Sequence, residues 1–99
     1  MKPDRRRAGE METVARALLE YVRQSGENGE WVAASVAFNH AIERHNNLEW
    51  VRYIRSKPRG KIPMTQAIKR VMDSSFPDIE RDKRGNYRSA PVFFRVRVK

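Results

Sequence analysis

Cysteine is absent from this 99-residue chain. That excludes a disulfide framework, a thiolate zinc finger and a thiol nucleophile, and it fits a reducing compartment. Long apolar runs are missing as well: no stretch approaches the roughly 18 residues of a membrane-spanning helix. The opening "MKPDRRRAG" carries charge without an apolar segment after it, so no secretory signal is expected. There is no glycine-rich phosphate loop, no calcium loop and no serine, histidine and aspartate set in sensible context. His40 and His45 stand five apart, which is not the i, i+4 spacing that aims two imidazoles at one metal. Both read as structural or exposed residues. Asp78, Glu80 and Asp82 would share one strand face, but in an exposed hairpin they lack the burial that tunes a carboxyl group, and they are expected to pair with neighbouring arginines. The chain reads as neither an enzyme nor a metal or cofactor protein.

What is present is positive charge, unevenly placed. The formal net charge is +9. Residues 1 to 50 hold 7 Lys and Arg against 8 Asp and Glu, whereas residues 51 to 99 hold 14 against 4, so the two halves carry −1 and +10. A field that one-sided concentrates polyanions near one face, and nucleic acid is the commonest such partner. No segment joins a wide apolar face to a basic one in the manner of a membrane-surface helix, so a membrane is not the expected partner. With 39% hydrophobic residues the chain has enough apolar surface to fold, and its length fits one domain that buries roughly two-thirds of its unfolded surface. The expected setting is intracellular, either the cytoplasm of a prokaryotic host or a nucleus.

The apolar spacing organises the rest. Residues 1–9 read as a basic flexible arm, and residues 10–99 as the folded domain. A first helix is expected from Glu10 to Gln24, where Met11, Val14, Ala15, Leu18, Leu19 and Val22 form one stripe. The Ser25 to Gly29 stretch ends it. Glu30 to Val32 suit only a short strand. A second helix runs from Ser35 to about His45, with Phe38, Ala41, Ile42 and His45 on a shared side. Leu48, Val51 and Ile54, extended by Trp50, predict a short third helical segment stopped by Pro58 and Gly60. Its other face carries Arg52 and Arg55, and its exit adds Lys57, Arg59 and Lys61. Another helix is predicted from Pro63 to about Ser74, with Met64, Ala67, Ile68, Val71 and Met72 inward and Gln66, Lys69 and Arg70 outward. Ile79–Asp82 and Val92–Lys99 then read as a hairpin turning at Gly85 and Asn86, with Val92, Phe94, Val96 and Val98 on one face and Phe93, Arg95, Arg97 and Lys99 on the other.

A helical domain closed by a hairpin has the α+β plan of a winged helix-turn-helix, in which the hairpin tip is the wing. Around that tip Arg81, Lys83, Arg84 and Arg88 crowd a turn that Gly85 and Asn86 favour, with Tyr87 beside them to stack or to bond a phosphate. Solubility and protection of a sheet edge are the plain alternative for such a cluster. In helix-turn-helix proteins the helix bearing Gln66, Lys69 and Arg70 reads bases in the major groove. Arg5, Arg6 and Arg7 on an arm could follow a minor groove. Arg52, Arg55, Lys57, Arg59 and Lys61 would contribute phosphate contacts.

Several short strings resemble the DNA-binding domain of the regulatory factor X (RFX) family. Phe38, Asn39 and His40 are similar to a Tyr-Asn-His string in that family's second helix, and Ile68 to Met72 to a stretch of its recognition helix. Arg84, Gly85 and Asn86, followed by Arg88, resemble its wing, and Phe93 to Lys99 its closing strand. The likeness spans roughly Thr13 to Lys99, with an insertion around Trp50 to Lys61. It departs from the family at Gln66 and Ala34, where the family has basic residues. The resemblance implies that the wing supplies most major-groove contacts while the recognition helix lies over the minor groove. That places the emphasis on Arg84, Asn86 and Arg88, with Lys69 secondary. The architecture also resembles C-terminal winged-helix domains of phage and poxvirus-type primase-helicases. The expected function is double-stranded DNA binding in transcription or replication, as a monomer or weak homodimer. One alternative is a protein-interaction domain that docks an acidic partner through exposed Trp50 and Tyr53. Another is RNA or single-strand binding, with Tyr87, Phe93 and Phe94 stacking on bases.

Overall fold

The computed structural model describes residues 5–26, 28–56, 65–82 and 92–97. The fold is α+β: four helices and a three-stranded antiparallel sheet. Helix α1 (Arg5–Ser25) is the hub, packing against α2 (Ala34–Arg44), α3 (Glu49–Arg55), α4 (Thr65–Ser75) and the sheet. Its predicted stripe is the reason: Val14, Ala15, Leu18, Leu19 and Val22 are all fully buried. The helix starts earlier than its apolar pattern does. Arg5 to Gly9, read from the sequence as a flexible arm, form its first turns. Helix propensity carries the backbone past the last buried side chain because arginine and alanine are good helix formers.

The exit from α1 depends on glycine. Gly26 donates to the Val22 carbonyl at 2.8 Å, and Gly29, at φ 83°, donates to the Gly26 carbonyl at 2.9 Å. A Cβ at Gly26 would lie 2.8 Å from the Glu30 carbonyl oxygen and 3.1 Å from Val32 Cγ2. The turn therefore closes only around a residue without a side chain. It delivers the chain to β1 (Val32–Ala33), after which α2 begins directly.

Helix α2 buries Ala34, Ala37, Phe38, Ala41 and Ile42, the i, i+3, i+4 pattern of one packed face. Helix α3 buries Trp50, Val51 and Ile54. Its first turn is tied to α1, since the Trp50 amide donates to Glu10 Oε1 at 3.4 Å. Trp50 is 4% exposed, so the expectation that it stands out as an interface anchor is corrected: it belongs to the core, and Tyr53 alone is exposed, at 45%. Helix α4 turns Ala67, Ile68 and Val71 inward, and Phe76 is buried just past its end, where Pro77 bars another turn.

The sheet has the order β1-β3-β2, with β2 at Ile79–Arg81 and β3 at Phe93–Val96. The expected two-stranded hairpin is thus joined by a third strand, which pairs Val32 with Phe94 and Ala33 with Phe93. On the other side Ile79 pairs with Val96, Glu80 with Arg95 and Arg81 with Phe94. Over the described residues the predicted alternation of β3 holds, with Val92 and Phe94 buried, Val96 packed against the core and Arg97 exposed, while Val98 and Lys99 lie outside the described residues. Phe94, wholly buried in the central strand, is not available to stack on a base. Among the described residues no polar side chain is buried, and no helix is long and apolar enough to cross a membrane.

Candidate nucleic-acid interface

Helix α4 presents Gln66, Lys69, Arg70 and Asp73 to solvent, at the i, i+3, i+4, i+7 spacing of one helix face. The opposite face is fixed by Ala67, Ile68 and Val71, so the orientation of the polar row follows from core packing. Of the sequence-predicted cations, Arg52 is exposed on α3. Arg55 is exposed too but meets Glu43 at 3.5 Å, an exposed pair worth at most about 1 kcal/mol. Arg81 is half-buried on β2 and lines a surface hollow with the last turns of α4, through Met72 and Asp73, and with Arg97. Lys57, Arg59, Lys61, Lys83, Arg84, Asn86, Tyr87 and Arg88 lie outside the described residues.

Ion pairing separates the cations into two groups. Arg16 meets Glu12 at 3.5 Å and donates to Ser75 Oγ at 3.2 Å. Arg23 reaches Asp78 at 2.6 Å and lies 4.5 Å from the Phe76 ring centroid, so it ties α1 to the entry of β2. Arg44 pairs with Glu20 at 3.5 Å. Arg95 and Arg97 both hold Glu80. Among the described residues Arg52, Lys69 and Arg70 have no carboxylate within ion-pair distance. Their charge is left to solvent or to a ligand.

Asp78 and Glu80 take the arginine partners expected of them. Asp78 accepts from Arg23, and Glu80 accepts from Arg95 Nε and from Arg97 Nε, the latter at 3.1 Å. The Arg95 hydrogen bond, with help from Arg97, holds the Glu80 carboxyl below its ordinary value, against the opposing pull of partial desolvation. His40 is exposed and packs against the Tyr21 ring at 4.5 Å, while His45 ends α2. Arg7, expected on an arm, lies 5.1 Å from the Tyr53 ring centroid, bringing the start of α1 against α3. Among the described residues no three His, Asp or Glu side chains converge as a metal site.

The outer face of the sheet carries a feature that sequence reasoning placed only in part. Arg95 lies 4.4 Å from the ring centroid of Trp31, which is 41% exposed, while its Nε engages Glu80 on the neighbouring strand. The alternation of β3 had put Arg95 and Arg97 on this face. Nothing in the local pattern points Trp31 at them, because that contact depends on the register of β1. Comparison with known protein families, with curated proteins and with solved structures finds no match to this chain.

Proposed function

We propose that the chain is a winged-helix protein that binds double-stranded DNA without a cofactor, in transcription or replication control, as a monomer or weak homodimer. The observation that carries this reading is the sorting of charge: among the described residues Lys69 and Arg70 on the exposed face of α4, and Arg52 on α3, have no carboxylate within ion-pair distance, whereas Arg16, Arg23, Arg44, Arg55, Arg95 and Arg97 do. The element order supports the same reading, since a helix with a packed inner face and a cationic outer face is followed directly by the strand that leads into the hairpin.

In this reading Gln66, Lys69 and Arg70 on α4 meet the duplex beside the wing. Arg81, Lys83, Arg84, Asn86, Tyr87 and Arg88 form the wing contacts, and the RFX likeness gives Arg84, Asn86 and Arg88 the base-reading role. Phosphate contacts come from Arg52, Lys57, Arg59 and Lys61, and from Arg55 once it leaves Glu43. The alternative of an acidic protein partner loses one of its two aromatic anchors with the burial of Trp50. The test is selection of bound duplexes from a random pool, repeated with Arg84→Ala. Recovery of a motif that relaxes in the variant is expected; a pool that stays random with both proteins would defeat sequence-preferring readout.

A further inference from the structure

We propose that the outer face of the sheet is a second binding surface, for single-stranded nucleic acid, with Trp31 stacking on a base and Arg95 and Arg97 contacting flanking phosphates. Three strands contribute to it. Trp31 precedes β1, Glu80 lies on β2, Arg95 is on β3 and Arg97 directly follows that strand. The pairing of Val32 with Phe94 places Trp31 on the side of Arg95, away from the core, and Glu80 pairs directly with Arg95. These residues form a row of indole, guanidinium, carboxylate and guanidinium across the sheet.

The chemistry of the row favours a polynucleotide strand. Glu80 receives Arg95 and Arg97 through their Nε atoms, one on each carboxylate oxygen. That arrangement fixes both forks while leaving their η-nitrogens, four of the five N–H donors of each arginine, without a hydrogen-bond partner among the described residues. Two guanidiniums share one carboxylate in the row, with Asp82 two residues from Glu80 along the same strand face, and the half of the chain that carries both arginines holds +10. Alternate residues of an extended chain lie about 6.8 Å apart, so Arg95 and Arg97 present their charges along a line. Trp31 is one of three large apolar side chains exposed among the described residues. An acidic peptide would use the guanidinium donors and leave the indole idle, and a duplex keeps its base faces inside the stack. Unpaired bases use both the ring and the charge.

The chain has two tryptophans, and Trp50 is buried at 4% exposure, so a ligand that stacks on the surface perturbs the emission of Trp31 alone. The experiment titrates the full chain with deoxythymidine and uridine oligomers of about 12 nucleotides, a length that one small stacking platform can occupy. Quenching is expected in the wild type, with the stronger of the two oligomers indicating whether DNA or RNA is the better ligand. Trp31→Ala and Trp31→Phe lack the reporting indole, so their affinities are read from the anisotropy of labelled oligomers; Trp31→Ala should weaken binding about 5- to 150-fold, the range for loss of one stacked base. Trp31→Phe should keep most of the affinity while losing the quench, which excludes misfolding as the cause. A duplex titration of the same variants keeps this site apart from the α4 and wing surface: Trp31→Ala should bind duplex as the wild type does, whatever affinity that is. If Trp31→Ala binds the oligomers unchanged, or if oligoglutamate displaces them equally well, the sheet face is not a nucleic-acid platform.

Discussion

Replacing Lys69 and Arg70 together by alanine tests whether the unpaired cations of α4 are contacts or ornament. Both side chains are exposed and have no ion-pair partner among the described residues, so the folded state loses no interaction with them. Alanine is also the best helix former, and stability should change by no more than about 0.5 kcal/mol. DNA affinity should respond differently. Each phosphate contact contributes a slope of about −0.9 to log K against log salt, so losing two makes the slope shallower by about 1.8. Between about 50 and about 200 mM salt, wild-type affinity should fall about twelvefold more than that of the variant. Anisotropy of a labelled duplex at four or five salt concentrations measures this directly. The control is Arg16→Ala with Arg23→Ala, which removes the same formal charge from residues that already hold Glu12, Ser75 and Asp78. That pair should destabilise the fold and leave the salt slope in place. Equal changes in slope for the two double variants would refute the reasoning, because binding would then follow total charge rather than a particular face.

Gly26→Ala should destabilise the protein by about 1–3 kcal/mol, because the new methyl meets backbone at 2.8 Å; urea denaturation would reveal it as a lower midpoint at constant m-value. Phe94→Ala empties the centre of the sheet and should cost about 3–5 kcal/mol, seen as a lower thermal midpoint, whereas a cost under 1 kcal/mol would place the ring outside the core. Acid should weaken the sheet through Glu80. Its folded-state carboxyl is held below the ordinary 4.5, so its stabilising contribution is complete above about that pH and is lost as pH falls through the lower folded value. Glu80→Gln should remove that part of the pH dependence in denaturation curves recorded between about pH 3 and pH 7, and an unchanged pH profile would contradict the link.

The polar row of α4 and the alternation of β3 were legible in the sequence because each is a local periodicity. Gln66, Lys69 and Arg70 had to oppose Ala67, Ile68 and Val71 on any helix, and Arg95 had to oppose Phe94 on any strand. Trp50 and Tyr53 show where that kind of reading ends. They are three apart on one short helix and both aromatic, and only the tertiary packing of that helix decides that the indole is covered and the phenol is not. The arm at residues 5–9 failed as an expectation for a related reason. A helix can extend beyond its apolar stripe, and in this chain it carries Arg7 onto Tyr53.

The sequence alone determined that there are four helical segments and where their centres lie, which face of each is apolar, and that the positive charge lies in residues 51 to 99. Those properties depend on residue type and on neighbours a few positions away. Only the tertiary structure decided which cations of the described residues find a partner. Arg23 is neutralised by a carboxylate 55 residues away, and Arg95 meets an indole placed by a two-residue strand. Contacts of that kind arise from chain closure around a common core, which no local period encodes.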